Sequence, residues 1–116
     1  VAAAERVICA SADLAEAGDG VRFEVEVDGE RAAAFVVRWR GAPRAYLNRC
    51  AHVPMELDWM PGKFFDFTTT LLVCSTHGAT YDPATGRCVG GPCRGARLRA
   101  LPVEERDGVV LLRDHP

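Results

Sequence analysis

Two short Cys-His pairs, Cys50-Ala-His52 and Cys74-Ser-Thr-His77, constrain this chain of 116 residues more than any other feature. The sequence holds three histidines, and the third, His115, is next to last, so both interior histidines stand within three residues of a cysteine. Each pair places the thiol first and the imidazole two or three residues on. Two similar loops that each offer one sulfur and one nitrogen suit a shared metal centre. A structural zinc module is one reading. A Cys2His2 zinc site, however, groups its cysteines in one arm and its histidines in the other, with longer spacings inside each arm, and the mixed arms fit it poorly.

The pattern C-x-H followed by C-x-x-H, with Gly78 directly after His77 and Gly90-Gly91-Pro92 beyond, resembles the Rieske family. In that family two histidines replace two cysteines on one iron of a 2Fe-2S centre. The likeness is greatest to the small soluble Rieske-type ferredoxins and to the Rieske modules of oxygenase systems, and it runs from Asn48 to Pro92. It implies one Rieske-type 2Fe-2S cluster, with Cys50 and Cys74 on the inner iron and His52 and His77 on the outer, solvent-facing one. By the same resemblance Gly78 lets the second loop pass close to the cluster, and Pro92 belongs to a third loop that shields it from water; the alternative is that Gly78 and Gly90-Gly91-Pro92 simply make turns. Tyr81 matches a tyrosine of the respiratory members, where it is either a hydrogen-bond donor towards the cluster or a packing residue.

Two departures from the family pattern bear on the chemistry. Residues 53 to 73 are more numerous than in most members, so Met60 to Thr70 is expected to add a hairpin or flap. The high-potential respiratory members carry an extra cysteine in each cluster loop, joined as a disulfide, and a serine after the glycine of the second loop. Met55, Thr76 and Ala79 stand at those positions here. Hydrogen bonds to the sulfurs favour the reduced form. Without that bridge and that serine, the expected potential falls in the lower half of the roughly -150 to +300 mV span of Rieske centres.

A length of 116 residues suits one domain, with a base of residues 1–45 and 95–116 and a cluster-binding part of residues 46–94. Hydrophobic content of 48% and a net charge of -2 describe a folded, nearly neutral chain with no footprint for nucleic acid. No apolar run reaches the ~18 residues of a membrane span, and Val1 to Arg6 has no basic lead into an apolar segment, so no membrane association and a cytoplasmic location are expected. In such a compartment the spare cysteines Cys9, Cys88 and Cys93 would stay thiols. Cys9 reads as a small core residue, while Cys88 and Cys93 flank a turn and lie close enough in sequence to pair.

Strand periodicity supplies the rest. Glu5 to Ala10 reads as a strand, followed by a turn at Ser11 to Leu14 begun by a serine cap. Val21, Phe23, Val25 and Val27 alternate with polar residues, the period-two signature of a strand with one wet face. Asp28-Gly29 is a hairpin turn signal, and Ala32 to Trp39, apolar on both faces, is an inner strand. Arg40 to Pro43 turns the chain, and Arg44 to Asn48 leads into the first loop. Met60 to Lys63 is a turn, Phe64 to Phe67 either fill the core or cover the cluster, and Thr69 to Cys74 is a strand delivering the second loop. Asp82 to Gly86 is a turn, and Leu98 to Val103 and Val109 to Leu112 flank a hairpin signal at Asp107-Gly108. Helical periodicity is nowhere sustained. The expected fold is all-β, of stacked antiparallel sheets with cluster loops at one end.

The resemblance implies a one-electron carrier, a ferredoxin component passing electrons from a reductase to an oxygenase or similar acceptor. A small Rieske-like subunit of a multi-component redox enzyme, such as a nitrite reductase, is the second reading. An oxygenase catalytic site is not expected, because it needs a further iron held by two histidines and a carboxylate, and only His115 remains once the cluster is served. Arg94, Arg97 and Arg99 form either a basic docking rim or an ordinary solvated face.

Overall fold

The computed structural model describes residues 5–49, 55–58, 60–66, 68–74, 78–91 and 95–113. Among these described residues ten antiparallel strands form three sheets. The middle one has the order β2-β3-β4-β8, from β2 (Val21–Val27), β3 (Glu30–Trp39), β4 (Ala42–Leu47) and β8 (Ala100–Leu101). A second joins β1 (Glu5–Ala10), β10 (Val109–Arg113) and β9 (Val103–Arg106) in the order β1-β10-β9. The third, β5-β6-β7, is built of the short strands β5 (Leu72–Val73), β6 (Thr80–Tyr81) and β7 (Cys88–Gly90).

The apolar run of β3 explains why the middle sheet carries a core on each side. Successive side chains of a strand point to opposite faces. Phe35 and Val37 therefore pack with Phe64, Leu72, Cys74 and Tyr81 on one face, while Val36 packs with Cys9, Leu14 and Val110 on the other. Ala34 to Val37 are fully buried, as expected of an inner strand. Strand β2 keeps its alternation but only half buries its apolar residues, because it lies at the sheet edge. Cys9 is a buried free thiol whose pKa burial pushes up, in keeping with a core role.

Hairpins close at Asp28-Gly29, Arg40-Gly41 and Asp107-Gly108, each with positive φ at both residues. That pair of left-handed conformations matches the twist of the flanking strands, and glycine adopts it without penalty. Arg38 braces the middle sheet against its neighbour. Its guanidinium donates to Glu105 at 3.0 and 2.6 Å and to the Leu14 carbonyl at 2.8 Å.

Three local expectations need correction. The segment Leu98 to Val103 is not one strand: β8 pairs with β4 and β9 with β10, and Pro102, which has no N–H to give a ladder, stands between them. The strand expected over Thr69 to Cys74 shrinks to Leu72–Val73. Thr69 instead lies in a turn with φ +58°, because the Asp66 carboxylate gathers the Thr68 hydroxyl at 2.8 Å and the Thr70 N–H at 3.2 Å. Ser11 lies inside the 3-10 turn Ser11–Asp13, and the capping contact comes from Asp13, whose carboxylate accepts the Ala10 N–H at 3.2 Å.

The added hairpin expected within residues 60–70 is present in part. The turn at Met60 closes through the Lys63 N–H at 2.9 Å, and Phe65 bridges Leu72 across a reversal between them. Phe64 is wholly buried and stacks on Phe35 with ring centroids 3.9 Å apart, so it fills the core. Phe67 lies outside the described residues.

Candidate metal centre

Of the four expected ligands, Cys74 lies among the described residues; Cys50, His52 and His77 lie outside them. Strand β5 delivers Cys74 and β6 leads away from the second loop. The loop closes on itself at its root: the Cys74 N–H donates to the Ala79 carbonyl at 2.8 Å, and the Gly78 N–H donates to the Cys74 carbonyl at 2.9 Å. Cys74 has no solvent exposure. It shares a core with Leu57, Phe64, Leu72, Ala79 and Tyr81, so water is excluded from that side of the sulfur.

Gly78 has φ +73° and open space around the place a Cβ would occupy. The left-handed backbone is thus the local demand for glycine here, among the described atoms. Close approach belongs to the third loop instead. A Cβ on Gly91 would stand 2.8 Å from the Ala79 Cα, and one on Gly90 would stand 2.7 Å from the Thr80 Oγ1. Gly90 and Gly91 therefore let the third loop lie directly on the second. Pro92 is outside the described residues.

Cys88 takes part in a disulfide, which corrects for that residue the expectation that the spare cysteines stay reduced, whereas Cys9 keeps its free thiol. Its N–H donates to the Ala96 carbonyl at 2.8 Å, so the two limbs of the third loop are tied at their base. Cys93, which the sequence offers as its partner, is outside the described residues.

Tyr81 has no solvent exposure and packs with Cys74, which places it beside the second loop's root. Tyr46, not singled out from the sequence, links β4 to the turn after Tyr81. Its hydroxyl donates to the Pro83 carbonyl at 2.8 Å, and burial raises its pKa to about 12. Sequence pattern did not single out Asn48 or Asp58 either. Asn48 is a buried polar residue two positions before Cys50, and its side chain binds Asp58 and the Leu57 N–H. A lone asparagine ending an apolar strand was the available signal. Of the three arginines considered for a docking rim, Arg97 and Arg99 are exposed, Arg99 lies 3.5 Å from Asp28, and Arg94 is outside the described residues.

The donor set fits an iron-sulfur centre where it is described. A buried cysteine at the root of a tightly closed turn offers a fixed sulfur position, and cysteine sulfur is the soft donor that iron-sulfur clusters take. Among the described residues no three His, Cys, Asp or Glu side chains gather as a metal site, three of the four expected ligands lying elsewhere. No helix among the described residues is long and apolar enough to cross a membrane.

Comparisons with known proteins agree with this fold. The ferredoxin of Sphingomonas yanoikuyae B1 is similar over 97% of this chain and 100% of its own, with 26% identity and a TM-score of 0.70. The terminal oxygenase of carbazole 1,9a-dioxygenase from Nocardioides aromaticivorans IC177 is similar over 97% of this chain, with 25% identity and a TM-score of 0.72, and the chain spans 30% of that protein's length. The ferredoxin of carbazole 1,9a-dioxygenase from the same organism shares the fold at 24% identity and a TM-score of 0.70, over 96% of this chain and 98% of its own. No curated protein sequence matches significantly. Residues 4–106 match the family described as Rieske [2Fe-2S] domain. With that match over most of its length, and with an antiparallel β fold that leads Cys74 into a closed loop, the chain belongs to the Rieske [2Fe-2S] domain family, whose cofactor is one Rieske-type 2Fe-2S cluster.

Proposed function

We propose that this chain is a ferredoxin-type electron carrier, taking one electron from a reductase and handing it to an oxygenase or similar acceptor. Cys50, His52, Cys74 and His77 would hold the cluster, whose chemistry when bound is reversible one-electron transfer at iron. The observation that carries this reading is the wholly buried Cys74 at the root of a self-closed loop, in a chain similar to a ferredoxin over that protein's whole length.

The chain's own residues supply a dry, rigid mount. Leu57, Phe64, Ala79 and Tyr81 keep water from the Cys74 side of the site. Gly91 on Ala79 brings the third loop over the second. Fixed loops lower the reorganisation that accompanies a change of charge, since ligands held by packing move little. Tyr81 would act within this mount as a buried neighbour of Cys74, and Gly78 and Pro92 would shape the second and third loops.

The test begins with composition. Anaerobically purified protein should contain two irons and two acid-labile sulfides per chain and, when reduced, give an EPR signal of low average g. One zinc without sulfide would point to a structural metal module and sink the carrier reading. Replacing His52 by Cys should lower the midpoint potential if the cluster is retained, because a thiolate adds negative charge to the centre. Reconstitution with a reductase and an oxygenase, followed by substrate turnover that depends on this chain, would support the carrier. Constant co-purification in one complex with a single redox enzyme would instead favour a fixed subunit.

A further inference from the structure

The segment between β4 and the buried Leu57 carries Cys50 and His52, and both of its ends are gripped by the same pair of side chains. Asn48 is 3% exposed, and its main-chain N–H donates to the Ala33 carbonyl at 2.9 Å, so it is still registered on the middle sheet. Its side-chain carbonyl accepts the Leu57 N–H at 2.8 Å, across nine residues. Its amide nitrogen donates to Asp58 Oδ1 at 3.0 Å. The other carboxylate oxygen of Asp58 accepts the Gly62 N–H at 3.0 Å, and the Gly62 carbonyl in turn accepts the Gly20 N–H at 2.8 Å.

Arg22 on β2 closes the arrangement from the sheet side. Its guanidinium reaches Glu56 at 2.7 Å and Asp58 Oδ2 at 3.6 Å. The Asp58 side chain is 1% exposed. A carboxylate so buried is tolerated only when its oxygens are taken up by donors and a cation is near. Each of these partners is supplied, and each supplier belongs either to the sheet or to the far end of the loop. Leu57 itself is fully buried in the core that contains Cys74.

We propose that Asn48 and Asp58 are positioning residues that latch the first cluster loop shut at its base, fixing Cys50 and His52 relative to the core in which Cys74 is set. This deepens the electron-carrier reading and rests on its assignment of Cys50 and His52. The latch has a polarity that can be inverted. Asn48→Asp alone sets two carboxylates face to face, and Asp58→Asn alone turns an amide donor towards the Gly62 N–H. Together, Asn48→Asp with Asp58→Asn rebuilds the three hydrogen bonds of the latch while moving the negative charge off the oxygen that Arg22 approaches at 3.6 Å: the carboxylate now at position 48 would accept from the Leu57 N–H and from the amide now at position 58, whose carbonyl accepts from Gly62.

The experiment measures cluster loss to an iron chelator, oxygen-free at 25 °C, for the full-length holoprotein and for Asn48→Ala, Asn48→Asp, Asp58→Asn and the double exchange. The single substitutions should shorten the half-time about tenfold, equivalent to ~1.4 kcal/mol, with broadened EPR lines from a spread of ligand positions and unchanged far-UV circular dichroism. The double exchange should recover to within about threefold of wild type, a factor worth roughly half of that tenfold step. If Asn48→Ala does not fold, the exchange series still decides. Wild-type rates and line widths in the single variants, or a double variant worse than either single, would overturn the latch. A wild-type protein free of iron would instead overturn the cluster assignment, while hydrogen exchange at the Leu57 amide, faster in Asn48→Ala if the latch is real, would still report on it.

Discussion

Replacing Gly91 by alanine is expected to cost far more than the same change at Gly29, although both residues have nearly the same backbone. Gly29 has φ +81° and Gly91 has φ +87°. An L-residue forced into the left-handed region costs roughly 1–2 kcal/mol at either place. The surroundings then separate them. A Cβ at Gly29 meets nothing within 4 Å, whereas a Cβ at Gly91 stands 2.8 Å from the Ala79 Cα and 3.3 Å from the Ala79 N and the Gly78 O. Those neighbours are main chain of the second loop, whose hydrogen bonds at Cys74 hold it in place. Pushing them aside is an overpacking cost of about 1–3 kcal/mol.

Gly91→Ala should therefore lose about 2–5 kcal/mol in all, from the strain and overpacking together, and Gly29→Ala only the first part. For a chain of this size each kcal/mol moves the melting temperature by about 4 °C, so the two variants should melt about 4–12 °C apart. Thermal melts followed by circular dichroism give that gap, and visible absorbance shows whether Gly91→Ala also sheds its cluster first. Equal melting temperatures for the two variants would refute the claim that the third loop is seated on Ala79.

Other substitutions probe the core, the brace and the site. Phe64→Ala removes a fully buried ring stacked on Phe35 and should destabilise by about 3–5 kcal/mol, read from urea unfolding midpoints. Glu105→Gln tests the Arg38 brace through pH. The Arg38 guanidinium holds the Glu105 carboxyl down at about 2, below its ordinary 4.5. A depressed pKa contributes stability that is present above the ordinary value and fades as pH falls from 4.5 through about 2. Wild type should thus exceed Glu105→Gln near neutrality, with the gap closing between about pH 5 and pH 2; a gap constant over that window would refute the pairing. With alanine at position 79 where respiratory members have serine, protein-film voltammetry should give a midpoint in the lower half of the roughly -150 to +300 mV span, and a value above about +200 mV would contradict it.

Much of this architecture was legible from local pattern because local physics determined it. Alternation named β2, the two-sided apolar run named β3 as an inner strand, and Asp28-Gly29 and Asp107-Gly108 marked hairpins whose residues do adopt positive φ. What escaped depends on particular partners that residue periodicity does not name. Leu98 to Val103 reads as one strand, and only pairing with two different sheets divides it at Pro102. Thr69 has the β-branched shape of a strand residue, yet the Asp66 carboxylate competes for the neighbouring backbone and wins. At the site, the Cys-His spacing pointed to Cys74, which the fold buries at the root of a closed loop. The Asn48 to Asp58 contact escaped because the available signal, an asparagine ending an apolar strand, does not name a partner ten residues on.

Shared packing explains how a small β fold seats the described roots of its loops. Phe35 and Val37 bring the sheet side of one core, and Leu57, Phe64, Cys74 and Tyr81 bring the loop side, so no layer of solvent separates the strands from the residues that root the loops. Val36, between Phe35 and Val37 on the same strand, seats the opposite core with Cys9 and Val110. A cavity opened at Phe64 would thus loosen the seat of Cys74 and the face of β3 at once, and β3 cannot shift without disturbing Val36. The cost of Phe64→Ala should accordingly appear in one cooperative transition seen alike by far-UV circular dichroism and by visible absorbance of the bound cluster, since coincident probes mark two-state unfolding.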